Sequence, residues 1–133
     1  MNKLCIDETY NGIHINVQLD YKLNFLIGDS GTGKTLLMSA VDLHCLNNNI
    51  SCRLCNYNDA NLTESQLLNI CNNSDVVLLD NADLYLTNNL LENILQSASI
   101  VVISMKDTSS LDCGDSKQYF IEYEHLELSM REI

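Results

Sequence analysis

Eight consecutive residues constrain this chain more than any others: Gly28-Asp29-Ser30-Gly31-Thr32-Gly33-Lys34-Thr35. They match the pattern G-x-x-x-x-G-K-[ST]. Three of the chain's five glycines fall here. Glycines let the backbone turn tightly and aim successive N–H groups at an anion with no Cβ in the way. The flanks agree. Leu23-Asn24-Phe25-Leu26-Ile27 reads as a buried strand. Lys34 to Leu46, with apolar residues at 37, 40, 41 and 43 and no breaker, reads as a helix. A glycine turn from strand into helix gathers unpaired N–H groups and the positive end of the helix dipole where a phosphate would sit. In that chemistry Lys34 gives a point charge to the β and γ phosphates, and Thr35 gives a hydroxyl to magnesium.

The remaining pattern predicts an α/β fold. Asn11-Gly12 is a hairpin signal between Leu4–Thr9 and the strictly alternating Ile13–Leu19. A short strand is expected over Ile50–Asn56. Thr63 with Gln66 forms a capping box that starts a helix to about Cys71. Asp75-Val76-Val77-Leu78-Leu79-Asp80 has the near-continuous apolar run of a strand buried on both faces, as does Ile100-Val101-Val102-Ile103-Ser104. Between them, Leu84–Ser97 suits a helix. Lys106–Ser116 is a polar loop, Gln118–Tyr123 a strand, and the acids from Glu122 to Glu132 read as a solvated face. Strands alternating with helices imply a mostly parallel sheet covered on both faces. The expectation is a three-layer α/β domain over residues 1–133 with an N-terminal antiparallel β-hairpin.

Composition excludes more than it selects. Eighteen acidic residues against seven basic give a formal charge of −11, which argues against nucleic acid phosphates or anionic lipid as the main partner. No apolar run approaches the roughly 20 residues of a membrane helix, and Met1 to Tyr10 has no export-signal pattern. The six cysteines are therefore expected as reduced thiols in a cytoplasmic protein. Cys52-Arg53-Leu54-Cys55 has C-x-x-C spacing, but residues three apart on a strand face opposite ways, so the sulfurs should diverge. Cys71 and Cys113 stand alone in sequence. His14, His44 and His125 sit in no pattern with a nucleophile.

With its glycine motif, preceding strand and following helix, the chain resembles a P-loop NTPase over roughly residues 22 to 123. The resemblance implies a Walker B acid at the end of a buried strand, orienting magnesium, and Asp80 stands at that place. A further strand lies in sequence between the P-loop strand and the Asp80 strand. That order is similar to the AAA, ABC and RecA-like ATPase branch, in which an extra strand is inserted between the two motif strands. Ser104 then resembles the polar sensor position. Many ATPases of this branch follow the Walker B Asp with a Glu that positions water. Here Asn81 stands there, and an amide can orient a water but cannot take its proton. Asp83 would substitute if it lay on the next helical turn.

Other family marks are absent. The L-S-G-G-Q signature of ABC proteins and the D-x-x-G and N-K-x-D motifs of GTPases do not occur. Arginine fingers contribute strongly to rate in such enzymes, yet the chain owns only Arg53 and Arg131. Arg53 reads as structural and Arg131 as a solvated charge within reach of a neighbouring subunit.

The resemblance thus implies an ATP and Mg2+ site. Gly28, Asp29, Ser30, Gly31, Thr32, Gly33, Lys34, Thr35 and Leu36 would hold the nucleotide, and Tyr10 would stack on adenine. Thr35 and Asp80 would place the metal. Lys34, Asn81, Asp83 and Ser104 would serve hydrolysis. The leading expectation is slow ATP hydrolysis, with nucleotide state controlling association with a protein partner or with a second copy. The alternatives are a nucleotide-binding switch without useful hydrolysis and a small-molecule phosphotransferase.

Overall fold

Asn11 and Gly12 both take left-handed backbone, with φ of 50° and 79°. A two-residue turn between right-twisted strands requires this. β1 (Leu4–Tyr10) and β2 (Ile13–Leu19) accordingly pair antiparallel, with Tyr10 opposite Ile13. The fold is that of a computed structural model, which describes residues 3–28, 31, 33–56, 59, 61–106 and 115–133. After the hairpin come β3 (Leu23–Ile27), α1 (Lys34–Asn47), β4 (Cys52–Cys55), α2 (Glu64–Cys71), β5 (Val76–Leu79), α3 (Asn88–Ser97), β6 (Ile100–Met105), β7 (Lys117–Glu124) and β8 (Glu127–Glu132).

The strands form one eight-stranded sheet in the order β1-β2-β8-β7-β3-β6-β5-β4. Pairing is antiparallel within the β1–β2 and β7–β8 hairpins and parallel elsewhere. Alternation along the central strands supplies both faces. Val76 and Leu78 of β5 join a core with Leu37, Met38, Val41 and Cys45 of α1. Val77 and Leu79 point the other way, into a core with Leu67 of α2 and Leu90, Leu91 and Ile94 of α3. The layers are helix, sheet, helix, and the mixed α/β expectation holds. The strand between the two motif strands is β6, not the β4 that intervenes in sequence. β4 lies at the sheet edge.

Three boundaries differ from the sequence reading, each for a local reason. β4 was expected over Ile50–Asn56. Ile50 N instead bonds to Cys45 O at 2.9 Å, closing the exit of α1, where Asn49 is left-handed at φ 57°. Asn56 N turns to Asp59 Oδ2 at 2.8 Å. The helix expected from Leu84 starts at Asn88, because Thr87 accepts from Leu90 N at 3.1 Å and acts as its cap. Ala82–Leu84 forms a separate 3-10 turn. The acidic tail is also more than a solvated face. It is the β7–β8 hairpin, whose Leu128 is buried and whose β8 runs parallel to β2.

The capping box is present in both arms: Gln66 N donates to Thr63 Oγ1 at 3.2 Å, and Thr63 N to Gln66 Oε1 at 2.8 Å.

Candidate phosphate and metal site

β3 delivers the chain to the glycine loop, and α1 begins where the loop ends. Gly28, Gly31 and Gly33 have φ of 137°, 84° and 99°, a region that residues with a Cβ rarely enter. Gly33 has a second constraint: a Cβ there would stand 3.1 Å from Leu128 Cδ1 and 3.3 Å from Ile121 Cγ2. Gly33 is thus packed against the C-terminal hairpin. α2 and α3 each have a threonine N-cap, whereas α1 has Gly33, no side-chain cap and no acid in its first turn. Among the described residues its N-terminal amides and dipole have no side-chain cap, the condition in which a helix start binds an anion. Lys34 is 8% exposed, and its Nζ donates to Gly28 O.

The sheet order brings the acid to the loop. β6 lies between β3 and β5, so Ser104 near its end stands beside Asp80, which follows β5. Thr35 Oγ1 donates to Asp80 Oδ2 at 2.9 Å, and Ser104 Oγ donates to Asp80 Oδ1 at 2.6 Å. Asp80 is 4% exposed and Ser104 fully buried. Both carboxylate oxygens are held, and each keeps a lone pair for a further partner. Thr35 can donate its proton to Asp80 while its oxygen faces a cation. One carboxylate and one hydroxyl are hard oxygen donors suited to magnesium, which completes its shell with phosphate and water rather than a protein cage. Among the described residues, no group of three His, Cys, Asp or Glu side chains could hold a metal.

Asn81 follows in left-handed backbone, φ 52° and ψ 47°, which Asn tolerates better than most residues. Its N–H donates to Ser104 Oγ at 2.9 Å, so one serine hydroxyl serves both residues. Asp83, in the 3-10 turn, accepts from Lys106 N at 3.2 Å through Oδ2. Two cavities share Lys34 and Asn81. One, of about 390 Å³, is lined also by Gly31, Gly33, Thr35 and Leu36. The other, of about 220 Å³, is lined by Lys34, Asn81, Asp83, Leu84, Met105 and Lys106.

Most of the expected residues therefore converge: Gly31, Gly33, Lys34, Thr35, Leu36, Asn81 and Asp83 line these cavities, with Asp80 and Ser104 bonded beneath. Asp29, Ser30 and Thr32 lie outside the described residues. Tyr10 lines neither cavity and packs, half-buried, against the α1-side core. Arg53 is exposed on edge strand β4. Arg131 is engaged elsewhere, 3.1 Å from Glu122 Oε1 and over the Phe120 ring. Cys52 and Cys55 do diverge onto opposite faces, but Cys71 is not isolated, since its Sγ lies 3.7 Å from Cys55 Sγ.

Two residues escaped the sequence reading. Tyr85 OH donates to Asp80 O at 2.8 Å and lies 3.3 Å from Cys55 O, tying the ends of β5 and β4 together. Burial pushes its phenol pKa up. Lys106 opens the polar Lys106–Ser116 segment and lies two residues past Ser104, the spacing that returns an extended chain to the same side.

No protein-family model matches the chain, and no curated protein does. Among solved structures the chain is similar to a DNA replication initiation factor. The TM-score is 0.55 at 18% identity, over 65% of this chain and 32% of that one. The chain thus spans about a third of that protein's length, and the likeness is one of fold.

Proposed function

We propose that this chain is a P-loop protein that binds Mg-ATP and hydrolyses it slowly, its nucleotide state governing association with a protein partner or a second copy. The observation that carries this reading is the 2.9 Å bond from Thr35 to Asp80. It joins a hydroxyl and a carboxylate 45 residues apart in sequence, directly after the lysine of an uncapped glycine-loop helix. When bound, magnesium would neutralise phosphate charge. The chain's own groups would do the rest. Main-chain amides of the loop would hold phosphate oxygens, Lys34 would add a point charge, and Thr35 with Asp80 would fix the metal side. The fold likeness to a replication initiation factor supports nucleotide binding.

Slowness follows from the residues near the phosphate end. Asn81 offers an amide and no proton acceptor. Asp83 is already accepting a main-chain N–H. Leu84, 62% exposed at the smaller cavity, gives a partner an apolar contact beside the nucleotide. The net charge of −11 favours a protein over nucleic acid as that partner.

The test is phosphate release from Mg-ATP. Turnover far below the ~10 s⁻¹ typical of enzymes, abolished in Lys34→Ala, supports the reading. Saturable ATP binding with no phosphate release favours the second reading, a non-hydrolysing switch, for which the Asn81 amide is the specific observation.

A further inference from the structure

The two cavities meet at Lys34 and Asn81, and the smaller one brings a second lysine to that junction. Lys106 follows β6, the strand between the loop strand β3 and the Asp80 strand β5. Its start is fixed, because Asp83 Oδ2 accepts from its main-chain N–H at 3.2 Å. Its side chain is exposed, and among the described residues its ammonium makes no ion pair. The arginines offer nothing comparable. Arg53 stands on the far edge of the sheet, and Arg131 is paired with Glu122 on the C-terminal hairpin.

We infer that Lys106 is the γ-phosphate-recognising cation of this site. Building on the nucleotide reading above, Lys106 distinguishes a nucleoside triphosphate from a diphosphate by meeting the terminal phosphate from the β6 side, in the role an arginine plays elsewhere. The same placement gives Asp83 a purpose other than activating water: it holds the backbone from which Lys106 extends. A lysine ammonium is a point charge on a flexible stem, without the bidentate fork of arginine. Recognition of charge with weak rate acceleration is therefore the expected result.

Calorimetric titration of ADP and of a non-hydrolysable ATP analogue, each with magnesium, into wild type, Lys106→Met and Lys106→Arg tests this. One charge-assisted hydrogen bond corresponds to about a tenfold affinity difference or somewhat more. Lys106→Met should lose about tenfold in affinity for the triphosphate analogue with ADP affinity unchanged, and Lys106→Arg should restore the preference. Equal affinity of Lys106→Met and wild type for the analogue, or equal losses for both nucleotides, would overturn the assignment while leaving the nucleotide reading intact. Wild-type protein that binds neither ligand would overturn both. The substitution is at an exposed position, so the variant is expected to fold, and its circular dichroism and melting curve check this.

Discussion

The Ser104 hydroxyl donates to Asp80 Oδ1 at 2.6 Å and at the same time accepts from the Asn81 main-chain N–H at 2.9 Å. One buried side chain on β6 therefore sets both the rotation of the acid and the backbone of the residue after it. Removing that oxygen leaves a buried carboxylate oxygen and an amide without their partner, which costs about 1–3 kcal/mol. Ser104→Ala should lower the urea midpoint accordingly, while Ser104→Thr, which keeps the hydroxyl, should lose less. An unchanged midpoint in Ser104→Ala would show that the bond fixes nothing.

Asn81→Glu joins chemistry to backbone. A carboxylate at this position supplies the proton acceptor the amide lacks, so phosphate release should rise if the site is otherwise complete. The position is left-handed, at φ 52°, and glutamate has no local hydrogen bonding to offset that conformation. A destabilisation of about 1 kcal/mol is expected, read as a lower melting temperature. Faster turnover in a less stable protein is the predicted combination. Unchanged turnover would mean that the water-positioning group is not what limits the rate.

Gly33→Ala tests the close packing of loop and hairpin. The added methyl enters at φ 99° and meets Leu128 and Ile121. Left-handed strain at such a glycine exceeds the small gain from a stiffer unfolded chain, so a loss of about 1–2 kcal/mol is expected. Combining it with Leu128→Ala separates the two causes. If crowding dominates, the second change recovers part of the loss; if backbone strain dominates, it adds its own.

Much of the candidate site is legible in one stretch of sequence, because a glycine turn from strand into helix depends on local conformation, and Gly28, Gly31 and Gly33 all take positive φ. The place of Asp80 directly after β5 is equally readable, since a four-residue apolar strand ending in an acid has little freedom. What the sequence concealed is non-local. A strand does enter between β3 and β5, but that it is β6 is decided by sheet pairing, which chain order does not reveal. The β7–β8 hairpin turns on His125 and Leu126, both left-handed at φ 51° and 59°, with none of the Gly, Asn or Asp residues that announce such turns. Tyr85 sits in what read as the first turn of a helix. Its hydroxyl instead reaches Asp80 O and Cys55 O at the ends of two strands, and the helix begins at its Thr87 cap.

A pH effect follows from the N-terminal hairpin. The pKa of His14 is raised, chiefly by its hydrogen bond to Asp7 and then by that to Glu127, whose Oε2 lies 3.3 Å from Nδ1. A raised folded value means that protonated His14 stabilises the fold. That contribution is complete below the ordinary value of about 6.5 and is lost as pH rises through the higher folded value. Because the groups are exposed, the effect is small and sensitive to salt. Wild type should lose melting temperature relative to His14→Asn as pH rises above about 6.5, and less so in high salt. Parallel pH profiles would contradict the assignment.

The uncapped loop helix, with Lys34, Thr35 and Asp80, is proposed above to form a phosphate site that uses magnesium. Calorimetric titration of ATP into the purified chain, with and without magnesium and beside a Lys34→Ala variant, tests it most directly. Saturable binding that tightens with magnesium and is lost in Lys34→Ala is expected. Absence of binding at millimolar ATP, or binding indifferent to both magnesium and Lys34, would contradict it.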